Sequence, residues 1–145
     1  MSFRNEHRLL NRLIELCRDE ALTLREVASH VKDVEARKVL EELAAERVAF
    51  AADLLPHAQR LGGVGASGGT TRGALHRRWL ALKSRVPGVG DRAMIADAEH
   101  AEEYALAAYS RALDDLLQPT SRDVVERQRD GLAVAHDRVR ALIVH

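Results

Sequence analysis

Leu40-Glu41-Glu42-Leu43-Ala44-Ala45-Glu46-Arg47-Val48-Ala49-Phe50-Ala51-Ala52-Asp53-Leu54 sets the architecture of this chain. Leu40, Leu43, Phe50 and Leu54 recur at three- and four-residue spacing, the period of a helix with one buried face. Glu46 falls in that same stripe. An apolar interior gains nothing from a carboxylate unless a proton, a partner or a metal satisfies it. The stretch therefore predicts a core helix with a polar interruption at mid-length.

The same rhythm extends on both sides. Leu10, Leu13, Cys17, Leu24, Val27 and Val31 predict a first helix over about residues 5–31, and Asp33 can cap a second over about 34–62. Gly62-Gly63-Val64-Gly65-Ala66-Ser67-Gly68-Gly69 then reads as a link. A shorter helix over about 71–86 starts at Thr70 or Thr71, carries Leu75, Trp79, Leu82 and Val86, and ends at Pro87-Gly88. Asp91 can cap a fourth over about 91–117, with Ile95, Ala98, Ala105, Leu106, Tyr109, Leu113 and Leu116 inward. Pro119-Thr120-Ser121 breaks the chain before a last helix over about 120–144, with Val125, Leu132, Ala135, Val139 and Leu142 inward.

Two hairpins joined by about 27 residues form a four-helix bundle with one long crossover, because a 26-residue helix spans roughly 39 Å and the connection must return along it. The fold class is all-α, a ferritin-like bundle whose crossover carries a short fifth helix, in a single domain over residues 1–145.

Composition narrows the function. Acidic and basic residues balance at 22 each, which leaves no field for nucleic acid or an acidic membrane. Cys17 is the only cysteine, so no internal disulfide forms and a reducing compartment is expected. The charged N-terminus lacks the apolar run of a secretory signal, and no stretch has the length of a membrane span. The expectation is a cytoplasmic protein.

Counting from the two hairpin turns places Glu20 opposite Glu46 and Glu102 opposite His136, all at one level. Carboxylates and an imidazole suit iron, manganese or zinc. The ferritin-like di-iron pattern also needs Glu-x-x-His on two helices. Ala49 and Ala133 stand where those partners belong, so a complete di-iron oxidase site is not apparent and a single ion is the expectation. A glutamate in a stripe also reads as an edge residue paired with an arginine such as Arg47 or Arg138. Glu99 and Glu103 replace Glu102 if the helix phase slips by one position. Cys17 reads as a small buried hydrophobe and Tyr109 as core packing. His76-Arg77-Arg78-Trp79 reads either as a cap over the bundle or as a contact with a second copy or a protein partner.

Four segments carry a family resemblance: residues 10–19, Arg47-Val48-Ala49-Phe50-Ala51-Ala52-Asp53-Leu54, Gly73-Ala74-Leu75-His76-Arg77-Arg78-Trp79, and Ala135-His136-Asp137-Arg138-Val139-Arg140. They resemble the bacterial family called domain of unknown function 2383, and the Gly-Ala-Leu-His-Arg-x-Trp run is the most specific. The resemblance implies a ferritin-like fold and, by analogy with that superfamily, iron or manganese binding and a stress-related role. The expectation is a bundle of stress or metal-homeostasis type holding one ion through Glu20, Glu46, Glu102 and His136. The alternative is a metal-free interaction module that self-associates through the crossover helix around Trp79.

Overall fold

A computed structural model describes residues 3–61, 71–86, 88–115 and 118–144. The 62–69 link, Thr70, Pro87 and Leu116 lie outside the described residues. Among the described residues five helices follow in order: α1 Phe3–His30, α2 Val34–Arg60, α3 Thr71–Lys83, α4 Asp91–Asp115 and α5 Pro119–Val144. α1 packs on α2 and α4, and α5 packs on α4 and α2, with α3 laid against α1. This is the one-crossover, ferritin-like arrangement. No described helix is long and apolar enough to cross a membrane.

Short polar residues fix the helix ends. Asp33 is the N-cap of α2, and its Oδ2 accepts the Ala36 N–H at 2.9 Å. Arg37 donates to the Val31 carbonyl, at 2.6 Å from Nη2, and so covers an orphan acceptor at the end of α1. Asp91, at the start of α4, accepts the Lys32 and Asp33 N–H groups at 2.8 Å each. One carboxylate thus pins the α1–α2 turn to the start of the second hairpin. At the other end Arg122 donates to the Leu113 carbonyl at 2.7 Å, tying α5 to α4.

Among the described residues the apolar interior falls into two clusters stacked along the bundle. One gathers Leu10, Leu13, Ile14, Cys17, Leu54, Tyr109, Val125 and Leu132. The other gathers Leu24, Val27, Leu40, Leu43, Ile95, Ala98, Ala135 and Val139, with Leu80 of α3. Each fully buried leucine or valine contributes about 1.5–3 kcal/mol. Between the clusters, along three of the four long helices, the stripe positions are Glu20, Arg47 and Glu102.

Candidate metal centre

Arg47 occupies the middle of the bundle with no solvent exposure. On α2 the buried positions include Leu40, Leu43, Ala44, Arg47, Ala51 and Leu54, so the helix period carries the guanidinium inward. Glu46 lies about 100° round the helix, and its side chain is 39% exposed. Each guanidinium nitrogen reaches a different carboxylate: Nε to Glu20 Oε1 at 3.1 Å, Nη1 to Glu46 Oε1 at 2.6 Å, and Nη2 to Glu102 Oε2 at 2.8 Å. The guanidinium carbon also lies 5.0 Å from the Phe50 ring centroid, a cation–π contact.

Three carboxylates thus face one guanidinium. Burial, then the neighbouring Glu102, raises Glu20 well above the ordinary carboxylate range. Burial raises Glu102 as well, against the pull of Arg47. For Arg47 burial opposes the charge, but Glu20 and Glu102 outweigh it and hold the guanidinium protonated. Among the described residues Glu20 Oε2 and Glu102 Oε1 are buried without a hydrogen-bond partner. Glu20 also lines a groove of about 700 Å³ between α1 and α4, whose wall includes Gly73 and His76 of α3.

The four residues read as one layer therefore do not form one site. Glu20, Glu46 and Glu102 do converge, but on Arg47, each within hydrogen-bonding distance of one guanidinium nitrogen. His136 stands apart from that hub. On α5 the inward stripe is Val125, Gln128, Leu132, Ala135 and Val139, so His136 is one residue out of phase and turns toward the outer face of α4. Its Nε2 lies 3.3 Å from Glu103 Oε1 and 3.7 Å from Glu99 Oε1. One ligand atom from each of Glu99, Glu103 and His136 lies within 4.8 Å of the others. The His136 side chain is 16% exposed and Glu103 is 53% exposed, so the cluster opens to solvent.

Arg47 is the hub residue that helix periodicity places only as a partner for an edge glutamate. Its signal was the uninterrupted three–four rhythm Leu40, Leu43, Arg47, Ala51, Leu54, which admits a buried arginine only when carboxylates on facing helices meet it.

A second buried network lies in the Leu10–Leu132 cluster. Cys17 Sγ and Tyr109 Oη are 3.0 Å apart, Tyr109 donates to Gln128 Oε1 at 2.7 Å, and Gln128 Nε2 donates to the Phe50 carbonyl at 3.1 Å. Burial pushes the Cys17 thiol up to about 12. It also pushes the Tyr109 phenol well above its ordinary value. Neither group is a nucleophile at neutral pH.

A search of curated proteins returns no match. Among solved structures, a point mutant of Dps1 from Mycobacterium smegmatis superposes with a TM-score of 0.79 at 17% identity, covering 99% of each chain. An N-terminal deletion mutant of Dps from the same organism gives 0.78 at 16% identity, covering 97% of this chain and 95% of the other. At such identity the likeness establishes the fold alone. The sequence family described as a domain of unknown function, DUF2383, matches residues 5–115, most of the chain and all but the last helix of the bundle. This ferritin-like protein, with an arginine at the centre of its core, belongs to the DUF2383 family.

Proposed function

We propose that this bundle binds one divalent transition-metal ion at Glu99, Glu103 and His136, as a protein of metal-homeostasis or stress type. The observation that carries the reading is the convergence of three donors from two helices within 4.8 Å. Two carboxylate oxygens and one imidazole nitrogen form a borderline donor set suited to Fe(II), Mn(II) or Zn(II). Three protein ligands leave coordination positions for water. Glu99 and Glu103 are one helical turn apart on α4, and exposed rotamers can close the remaining distance around an ion. The ferritin-like fold supports the same reading by analogy alone.

The test is metal titration of tag-free protein by calorimetry and thermal shift, with the His136→Ala and Glu103→Gln variants beside it. Saturating ion at a hundredfold excess over its dissociation constant raises folded-state stability by about 2.7 kcal/mol. Both variants are expected to lose that gain. A natural chain with no heat and no shift for Fe(II), Mn(II) or Zn(II) overturns the reading.

One observation favours a second reading, self-association through α3. Leu75, Trp79 and Leu82 share one face of α3, and they and Val86 beyond its end are 51–60% exposed. The three apolar side chains of that helix face, two turns long, can pack on the same ridge of a second copy about a twofold axis. Light scattering of the natural chain and of Trp79→Ala decides it. A concentration-dependent dimer lost in the variant supports the contact, and a monomer in both cases removes it.

A further inference from the structure

We infer that Arg47 is a built-in replacement for a metal ion: Glu20, Glu46 and Glu102 form a cation site at the centre of the bundle that the chain fills with its own guanidinium, so the natural protein takes up no metal there. This does not depend on whether the outer cluster binds an ion. Three carboxylates from three helices aimed at one buried point are the arrangement that a divalent metal requires. That point is held by a side chain that stays protonated in proteins, with its three nitrogens at 2.6–3.1 Å from three separate carboxylates. An added ion would have to displace the guanidinium or sit beside it against its charge.

The site is also only partly satisfied by its occupant. Glu20 Oε2 and Glu102 Oε1 remain buried without a hydrogen-bond partner among the described residues. With all three carboxyl groups ionised, one guanidinium offsets only one of their charges. A dication would offset two and could coordinate the two idle oxygens. Removing the arginine should therefore open a latent metal site of all-oxygen, Mn(II)- or Mg(II)-preferring chemistry. The groove that reaches Glu20 supplies a path to it.

The experiment uses the full chain with His136→Ala, which disables the outer cluster, and compares it with the same chain carrying Arg47→Ala. Mn(II) binding is counted by electron paramagnetic resonance and stability is followed by thermal melting. The Arg47→Ala chain is expected to bind a manganese ion that its parent does not, and to melt higher as Mn(II) is added. Adding Glu20→Gln and Glu102→Gln should abolish both effects. Should Arg47→Ala not fold alone, recovery of helical circular dichroism on adding Mn(II) is the same positive result. No extra ion and no rise in melting temperature overturns the inference, as does an unfolded chain that Mn(II) fails to rescue. Crystals of the natural chain soaked in Mn(II) give the converse test, because anomalous density between Glu20 and Glu102 beside an intact Arg47 also overturns it.

Discussion

Arg47 is held by what surrounds it, so its removal should cost more than its own contacts suggest. With the guanidinium gone, Glu20 and Glu102 stay buried beside each other without a counter-charge. Breaking a buried ion cluster from one side typically costs about 3–5 kcal/mol. Arg47→Ala should lose that amount in urea unfolding at neutral pH without added metal. Glu20→Gln should behave differently. Burial lifts the Glu20 pKa in the folded chain above its unfolded value, so folding favours the protonated form. In the window between the ordinary carboxylate value and the raised one, the folded chain holds a proton that the unfolded chain has released. Stability therefore falls as pH rises through that window. Gln mimics the protonated acid and keeps an acceptor for Arg47 Nε. The variant should match the natural chain at acid pH, exceed it at higher pH, and show a flatter stability–pH curve. An unchanged slope would assign the proton elsewhere. Cys17 offers a second check at this scale. With its thiol raised to about 12 and buried, alkylation by iodoacetamide at pH 8 should be slower than in denaturant by on the order of a thousandfold or more.

Among the elements, α3 explains the most specific sequence run of the chain. Gly73, Arg77 and Leu80 share the face turned to the bundle. A Cβ on Gly73 would collide with the Asp19 carboxylate of α1, and Arg77 Nη1 lies 3.6 Å from that same carboxylate. Leu80 is fully buried, and Lys83 reaches Asp97 of α4 at 2.8 Å. A side chain at position 73 would have to push the Asp19 and Arg77 side-chain ends aside, and the arginine and lysine anchor the helix to acidic partners. Leu75 and Trp79 point away. Gly73→Ala should therefore disturb docking although alanine favours a helix. Overpacking costs about 1–3 kcal/mol and propensity returns about 1, for a net loss of up to about 2 kcal/mol. Amide hydrogen exchange should quicken throughout α3. Trp79→Ala should leave monomer stability within about 0.5 kcal/mol, as expected for a side chain more than half exposed. Equal destabilisation by the two would mean that the indole caps the bundle after all.

At the scale of the whole molecule, periodicity was enough to reveal the bundle and its crossover, because leucines and valines at three–four spacing leave a helix little choice of inward face. It was not enough to assemble the polar layer. Level along the helix axes was legible for Glu20 and Glu102, whose stripes run unbroken through them. Azimuth was not legible for Glu46 and His136, because a one-residue error rotates a side chain by about 100° and exchanges core for edge. An arginine is also discounted as a core residue on type alone, and only the convergence of facing carboxylates admits it.

The layer divides the interior into two apolar clusters, and this division sets the last prediction. If the layer serves stability alone, replacing it as a unit should join the clusters into one core. Glu20→Leu, Arg47→Met and Glu102→Leu together remove every uncompensated charge, leaving half-exposed Glu46 free to turn to water. Such replacements are often neutral or stabilising by about 1–4 kcal/mol. The triple variant should then unfold at the same or higher urea concentration than the natural chain, in contrast to Arg47→Ala, with a single cooperative transition and unchanged helicity. A triple variant as unstable as Arg47→Ala, or one that loses sharp unfolding, would assign the layer a different role. Leucine stripes can slide by a heptad, whereas three carboxylates fixed on one guanidinium define a single register among three helices.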